Sequence, residues 1–136
     1  NLSAFKLYFV DVGLLSALSG LDVKSVLSDN LIFEEFKGSL TEQYVLQQLM
    51  VQRSGDTYYW SAENMRAEID FVVQWPGKIV PIEVKAAENL QAKSLRVFCE
   101  KFKPELAIRA SMSDYRKESW MINWPLYAIP SLFSEE

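Results

Sequence analysis

The sequence contains no histidine and only one cysteine, Cys99, in 136 residues. Without a second cysteine no internal disulfide can form. Without histidine, the chain has no Cys/His zinc site, no Ser-His-Asp triad and no Cys-His nucleophile pair. Any catalysis must therefore use carboxylates, lysine or tyrosine.

Long apolar runs are also missing. No segment approaches the roughly 20 apolar residues that a membrane helix needs, and the first residues lack the charged and apolar regions of a signal peptide. We therefore expect a cytoplasmic protein without a membrane partner. The chain starts at Asn1, inside an amphipathic pattern, and we interpret it as part of a longer polypeptide.

Glycine and proline are scarce, with five of each, and the sequence shows no linker, repeat or low-complexity tract. The pattern of apolar residues predicts one α/β domain over residues 1–136, with the order β-α-α-β-β-β-α-β-β. Residues 1–29 form a strand-helix lead-in, in which Asp11 starts the helix and Gly20 ends it. The predicted strands are 5–10, 57–61, 68–74, 79–86, 106–110 and 120–122. The predicted helices are about 11–20, 31–52 and 90–102, with further turns in 22–29, and Pro125 and Pro130 end the regular structure.

The charge is acidic overall but unevenly distributed. The net charge is −4 and the pI about 4.9, which argues against indiscriminate binding of nucleic acid. Residues 78–117 nevertheless carry nine basic and five acidic side chains, so a phosphate-facing surface is expected there. The candidates lie on the helix after the third central strand: Lys93, Arg96, Lys101 and Lys103. A solvated helix face explains the same charges equally simply.

The central strands place two acids opposite each other. If Pro76-Gly77 is a two-residue turn, then Trp75 pairs with Lys78 and, further along the same ladder, Asp70 faces Glu83. Facing carboxylates repel each other unless a cation neutralises them, and Mg²⁺ or Mn²⁺ suits oxygen ligands. The alternative is a solvated sheet edge with a different turn length.

Two further residues extend this candidate site. Lys85 shares a strand face with Glu83, so it lies beside anything the metal binds, although a cross-strand pair with Glu68 would also explain it. Glu42 lies on one helical stripe with three apolar residues, Val45, Leu46 and Leu49. It is either a third metal ligand or a half-exposed acid at the margin of the stripe.

Four segments carry a family resemblance: GSLTEQYV at 38–45, YYW at 58–60, EIDFV at 68–72 and PIEVK at 81–85. The chain resembles a PD-(D/E)XK nuclease-like domain. More narrowly, it resembles the uncharacterised C-terminal domain of bacterial and archaeal AAA+ ATPases, whose pattern also matches YFVDVGLL at 8–15 and WPLY at 124–127. Ile69 stands where the superfamily's first motif has proline.

The resemblance implies a restriction-endonuclease-like fold, a mixed central sheet flanked by helices, and an AAA+ ATPase module upstream as a partner. It also implies that Asp70 and Glu83 bind the metal, that Glu42 is the helical acid and that Lys85 positions water. The function expected from it is magnesium-dependent cleavage of nucleic acid, with DNA favoured over RNA. The alternative is a catalytically silent module of the same fold that binds nucleic acid or docks on its ATPase.

Overall fold

The computed structural model describes residues 5–20, 31–52, 55–63, 66–86 and 91–134. The helical turns predicted within 22–29 lie outside these residues. The described helices are α1 (Val12–Leu18), α2 (Leu31–Gln52) and α3 (Lys93–Phe102), followed by a 3₁₀ helix at Leu126–Ser131. The strands are β1 (Thr57–Ser61), β2 (Glu68–Trp75), β3 (Lys78–Lys85), β4 (Ile108–Ser111), β5 (Arg116–Lys117) and β6 (Ile122–Pro125).

The strands form one six-stranded mixed sheet in the order β1-β2-β3-β4-β6-β5. The pairs β1–β2 and β2–β3 are antiparallel, β3–β4 and β4–β6 are parallel, and β5 runs antiparallel to β6. The parallel step from β3 to β4 needs a crossover connection, which α3 supplies. This confirms the predicted α/β class, with a mixed sheet and flanking helices.

The hairpin of β2 and β3 has the predicted turn and register. Gly77 has φ +73°, a conformation that glycine adopts without steric cost. The ladder runs from Trp75–Lys78 to Phe71–Ile82. It stops one step short of Asp70 and Glu83, so the predicted Asp70–Glu83 pair is not part of the ladder. Beyond that point the Asp70 carboxylate accepts the Val84 backbone N–H at 2.8 Å.

Each face of the sheet carries its own apolar cluster. Helix α2 and the 3₁₀ helix cover the larger one, whose members include Val45, Leu49, Phe71, Ile82 and Ile129. Helix α3 covers the smaller one, formed by Ile69, Ala92, Leu95, Phe98, Ala107 and Met121. Burial of these residues is the main favourable contribution to folding. The sheet end near Asp70 and Glu83 is thus held between two packed helices.

The predicted strand at 5–10 is wrong, because this segment has no regular secondary structure and joins no sheet. The Gln43 side chain makes the two backbone hydrogen bonds that a neighbouring strand would make. Its Oε1 accepts the Phe9 N–H at 2.8 Å, and its Nε2 donates to the Phe9 carbonyl at 2.7 Å. The helix that follows begins as predicted, with the Asp11 carboxylate accepting the N–H groups of Gly13 and Leu14. The segment 5–10 is thereby fixed along α2.

The C-terminal third differs from prediction in detail. The strands expected at 106–110 and 120–122 are shifted to Ile108–Ser111 and Ile122–Pro125. Strand β5 and the 3₁₀ helix were not predicted, and the expectation that Pro130 ends regular structure is wrong, since Pro130 lies inside that helix. The fixed φ of proline suits a 3₁₀ turn, and burial of Ile129 holds the turn against the core. Among the described residues, no helix combines the length and apolarity needed to cross a membrane.

Candidate functional site

Three acids surround the ammonium group of Lys6. Its Nζ lies 2.8 Å from Glu68 Oε1, 3.2 Å from Asp70 Oδ1 and 3.6 Å from Glu42 Oε2. We call Lys6 with Glu42, Glu68 and Asp70 the Lys6 cluster. The Lys6 side chain is 22% exposed, so these ion pairs are only partly screened by water.

The cluster is assembled from distant parts of the chain. Glu42 comes from α2, Glu68 and Asp70 from the start of β2, and Lys6 from the N-terminal segment 5–10. Gln43, the neighbour of Glu42 on α2, binds the backbone of that segment. The helix residue next to a cluster acid therefore also positions the lysine. Tyr8, two residues after Lys6, donates its hydroxyl to Glu42 Oε2 at 3.4 Å.

The electrostatics follow from burial and from this crowding of charges. Burial lowers the pKa of Lys6, but the hydrogen bond to Glu68 and the charges of Asp70 and Glu42 outweigh it, and the net pKa is raised. Burial, followed by the charge of Asp70, raises the pKa of Glu42. Burial also raises the pKa of Tyr8. At neutral pH Lys6 is therefore a fixed cation, and Glu42 is the acid on which ionisation is disfavoured.

Glu83 and Lys85 form a second group, on the side of helix α3. Glu83 Oε1 lies 2.8 Å from Lys85 Nζ, and Glu83 Oε2 accepts the Leu95 backbone N–H at 3.1 Å. The N-cap residue of α3, Ala92, has no side-chain hydrogen bond to offer. The buried Glu83 carboxylate, in a residue 4% exposed, thus supplies an acceptor and a negative charge at the start of this helix.

The predicted site residues therefore fall into two groups. Asp70 and Glu42 share Lys6, whereas Glu83 contacts Lys85 and the start of α3. Lys85 pairs with Glu83 rather than with Glu68, whose carboxylate binds Lys6. Val84 links the groups, because its N–H donates to Asp70 Oδ2.

Every carboxylate oxygen of Asp70 and Glu83, two of the three predicted metal acids, already has a protein partner. Asp70 pairs with Lys6 and accepts the Val84 N–H. Glu83 pairs with Lys85 and accepts the Leu95 N–H. Within the ranges that the structure describes, no group of three or more Asp, Glu, Cys or His side chains is placed to hold a metal ion. Magnesium binding by these acids stays a prediction.

The predicted nucleic-acid residues are all exposed. Lys93, Arg96 and Lys101 lie on α3, and Lys103 follows it in the left-handed conformation, with φ 48°. Arg96 pairs with Glu100 at 3.4 Å, while its guanidinium lies 5.9 Å from the centre of the Trp120 ring. In the same basic stretch of sequence, Arg109 is buried and donates to Asn123, so it does not belong to this surface.

Sequence reasoning missed Lys6 and Tyr8. The signal available was their spacing of two in a segment rich in apolar and aromatic residues, which places both side chains on one side of an extended chain. Nothing in that spacing identifies the partner surface, because the partners lie more than thirty positions away, on α2 and β2.

Comparison with known proteins gives one match. A family model described as "Domain of unknown function (DUF4143)" matches residues 37–129, which include most of α2 with Glu42, the β2–β3 hairpin and α3. Searches of curated proteins and of solved structures found no match.

Proposed function

We propose that this chain, which belongs to the DUF4143 family of domains of unknown function, is a catalytically silent module of PD-(D/E)XK nuclease-like fold that binds nucleic acid and works with an AAA+ ATPase. The observation that carries the proposal is the position of Lys6. Its ammonium contacts Glu42 and Asp70, two of the three acids that the nuclease interpretation assigns to the metal ion. A lysine in that position supplies a positive charge to these acids without a metal.

The second group of residues supports the same conclusion. A nuclease of this type needs the acid of the Glu-Val-Lys segment for its metal and the lysine for water. Here Glu83 accepts the Leu95 N–H at the start of α3, and Lys85 compensates the charge of Glu83. Both residues have a structural role that explains their presence without catalysis.

The binding surface in this proposal is the exposed side of α3 with its C-terminal end. Lys93, Lys101 and Lys103 make no ion pair within the described part of the chain, and Arg96 makes one with an exposed acid. Such side chains can contact phosphates without breaking a buried interaction. DNA is the favoured ligand over RNA, and the acidic net charge predicts weak, salt-sensitive binding.

A cleavage time course tests the proposal. We expect no cleavage of single-stranded DNA, duplex DNA or RNA with Mg²⁺ or Mn²⁺, and binding of DNA that weakens as salt rises. Lys93→Ala should lower the salt dependence, whereas Lys117→Ala, on strand β5 at the far edge of the sheet, should not. Cleavage by the wild-type protein that is lost in Asp70→Asn would overturn the proposal. Absence of any binding even at low salt would favour a module that docks on its ATPase.

Magnesium-dependent hydrolysis of nucleic acid is the second candidate function. The observation favouring it is the charge balance of the Lys6 cluster, where three carboxylates surround one monovalent cation and burial disfavours ionisation of Glu42. If Lys6 moved out, Glu42 and Asp70 with Glu83 would be the acids to hold Mg²⁺, which polarises a scissile phosphate when bound. Lys85 would then lose its charge partner and become free to orient water.

A further inference from the structure

A groove lined by aromatic residues runs beside the central hairpin; two of its residues, Tyr58 and Tyr59, also line a smaller pocket that contains Lys6 and Asp70. It lies between strands β1–β3 and the C-terminal end of α3 and has a volume of about 570 Å³. We call it the aromatic groove; the side chains that shape it are Tyr58, Tyr59, Trp60, Ile79, Phe98 and Phe102. The volume falls within the range of pockets that bind small molecules or short pieces of polymer.

The inner wall of the groove is rigid and the outer wall is exposed. Trp60 packs edge-on against Phe98, with ring centres 5.2 Å apart, and against Phe102 at 5.8 Å. By contrast, Tyr58 is 62% exposed and Phe102 49%. The Tyr58 hydroxyl donates to Asp56, which holds the ring in place at the edge of the sheet. The groove therefore exposes the rings of Tyr58 and Phe102 to solvent beside the packed rings of Trp60 and Phe98.

The rim of the groove is basic. Lys78 and Lys103 line it, and the Lys101 ammonium lies 5.3 Å from the centre of the Phe102 ring. Lys78 is neutralised by Glu105 at 2.6 Å, but Lys101 and Lys103 make no ion pair within the described ranges. Two uncompensated cations thus lie next to exposed rings.

We infer that the aromatic groove binds single-stranded nucleic acid, with bases stacked on Tyr58 and Phe102 and the phosphates held by Lys101 and Lys103. Every base offers a flat face to an aromatic ring, and the backbone is an anion, so this ligand matches both the rings and the cations. In a duplex the bases are already stacked and paired, so the rings cannot reach them. A neutral apolar ligand would offer no negative charge to Lys101 and Lys103. The inference rests on the proposed nucleic-acid binding. It adds that the ligand is single-stranded and that it binds in the aromatic groove.

Fluorescence anisotropy with a labelled oligothymidylate of about 12 nucleotides, within the range of site sizes seen for single-strand binders, tests the inference. A duplex and an oligouridylate of the same length are run beside it. Tyr58→Ala and Phe102→Leu remove rings, the latter retaining apolar volume over Phe98. Lys103→Asn removes a charge while asparagine tolerates the left-handed backbone.

We expect the single strand to bind more tightly than the duplex. Each loss of a ring should weaken binding roughly fivefold or more at every salt concentration, as stacking on one aromatic side chain does elsewhere. Lys103→Asn should lower the slope of log affinity against log salt by about 0.7. The controls are Tyr127→Ala, an exposed tyrosine on the 3₁₀ helix, and Lys117→Ala on β5, and both should bind like the wild type.

The possible outcomes test the groove inference and the proposed nucleic-acid binding separately. If the wild-type protein binds DNA and the folded ring variants bind equally well, the groove inference is overturned while nucleic-acid binding stands. Duplex binding as tight as single-strand binding also overturns it. If no nucleic acid binds at any salt concentration, both the groove inference and the proposed function fail.

Discussion

Replacing Lys6 by methionine tests whether its ammonium stabilises the acids around it. Methionine keeps a similar length and removes the charge, so Glu42 and Asp70 lose their cation while Asp70 keeps the Val84 N–H. An exposed ion pair contributes about 0–1 kcal/mol, and breaking a fully buried one costs about 3–5 kcal/mol. Because the Lys6 side chain is 22% exposed and Glu68 is half exposed, a loss of about 2 kcal/mol is expected.

That loss can be read as a melting temperature. Unfolding entropy of about 2.1 cal/mol/K per residue over 136 residues converts 2 kcal/mol into a decrease of roughly 7 °C, measured by circular dichroism. The matched control is Lys78→Met. Lys78 lies closer to its acid, at 2.6 Å, but both partners are exposed, so its melting temperature should stay within about 2 °C of the wild type.

Manganese provides the second half of the same experiment. If Lys6 holds the cation position, Mn²⁺ should raise the melting temperature of Lys6→Met more than that of the wild type, because a ligand stabilises only the state that binds it. The reasoning is refuted if Lys6→Met melts within 2 °C of the wild type, as Lys78→Met is expected to do. An equal response of both proteins to Mn²⁺ would show that Lys6 does not compete with the metal.

Three more predictions follow from the same contacts. Because the pKa of Glu42 is raised, its ionisation opposes folding as pH rises above the ordinary glutamate value; Glu42→Gln should therefore raise the melting temperature at pH 7 but not below about pH 4. Glu83→Ala leaves the Leu95 N–H without its acceptor and should cost about 2 kcal/mol in urea unfolding, while Glu83→Gln, which keeps an acceptor oxygen, should cost less. Lys85→Ala should leave DNA affinity unchanged, as measured by anisotropy, because Lys85 pairs with Glu83 and lies outside the proposed binding surface.

Much of the fold was predictable because its signals are local. The Pro76-Gly77 turn fixed the hairpin register, since a two-residue loop leaves one pairing for the strands on either side. The segment 5–10 has equally good strand residues, yet it forms no strand. A strand forms only where its backbone pairs with another strand. The sequence does not reveal that the backbone of Phe9 is bound by the Gln43 side chain instead.

The candidate site was predictable only in part, for a similar reason. The spacing within the hairpin placed Asp70 and Glu83 at the same end of β2 and β3, but the expected facing pair of carboxylates is replaced by two separate groups. Helical periodicity placed Glu42 at the edge of the α2 core. The groups that bind the carboxylates of Asp70 and Glu83 have no signature in the sequence. For Asp70 the group is a lysine on a distant segment, and for Glu83 it is the backbone N–H of Leu95.

Those partners change how the acids should be interpreted. Facing carboxylates are destabilising on their own, and that repulsion is the reason to expect a metal from the sequence. The ladder ends before Asp70 meets Glu83, and each acid has acquired both a cation and a backbone N–H. Asp70 shares the Lys6 ammonium with two other acids, and Glu83 pairs with Lys85. Because both acids are also hydrogen-bonded, each has a structural reason to persist, so their presence does not by itself require a metal or catalysis. Whether Lys6 stays between Glu42 and Asp70 when Mn²⁺ is added therefore distinguishes the silent module from the nuclease.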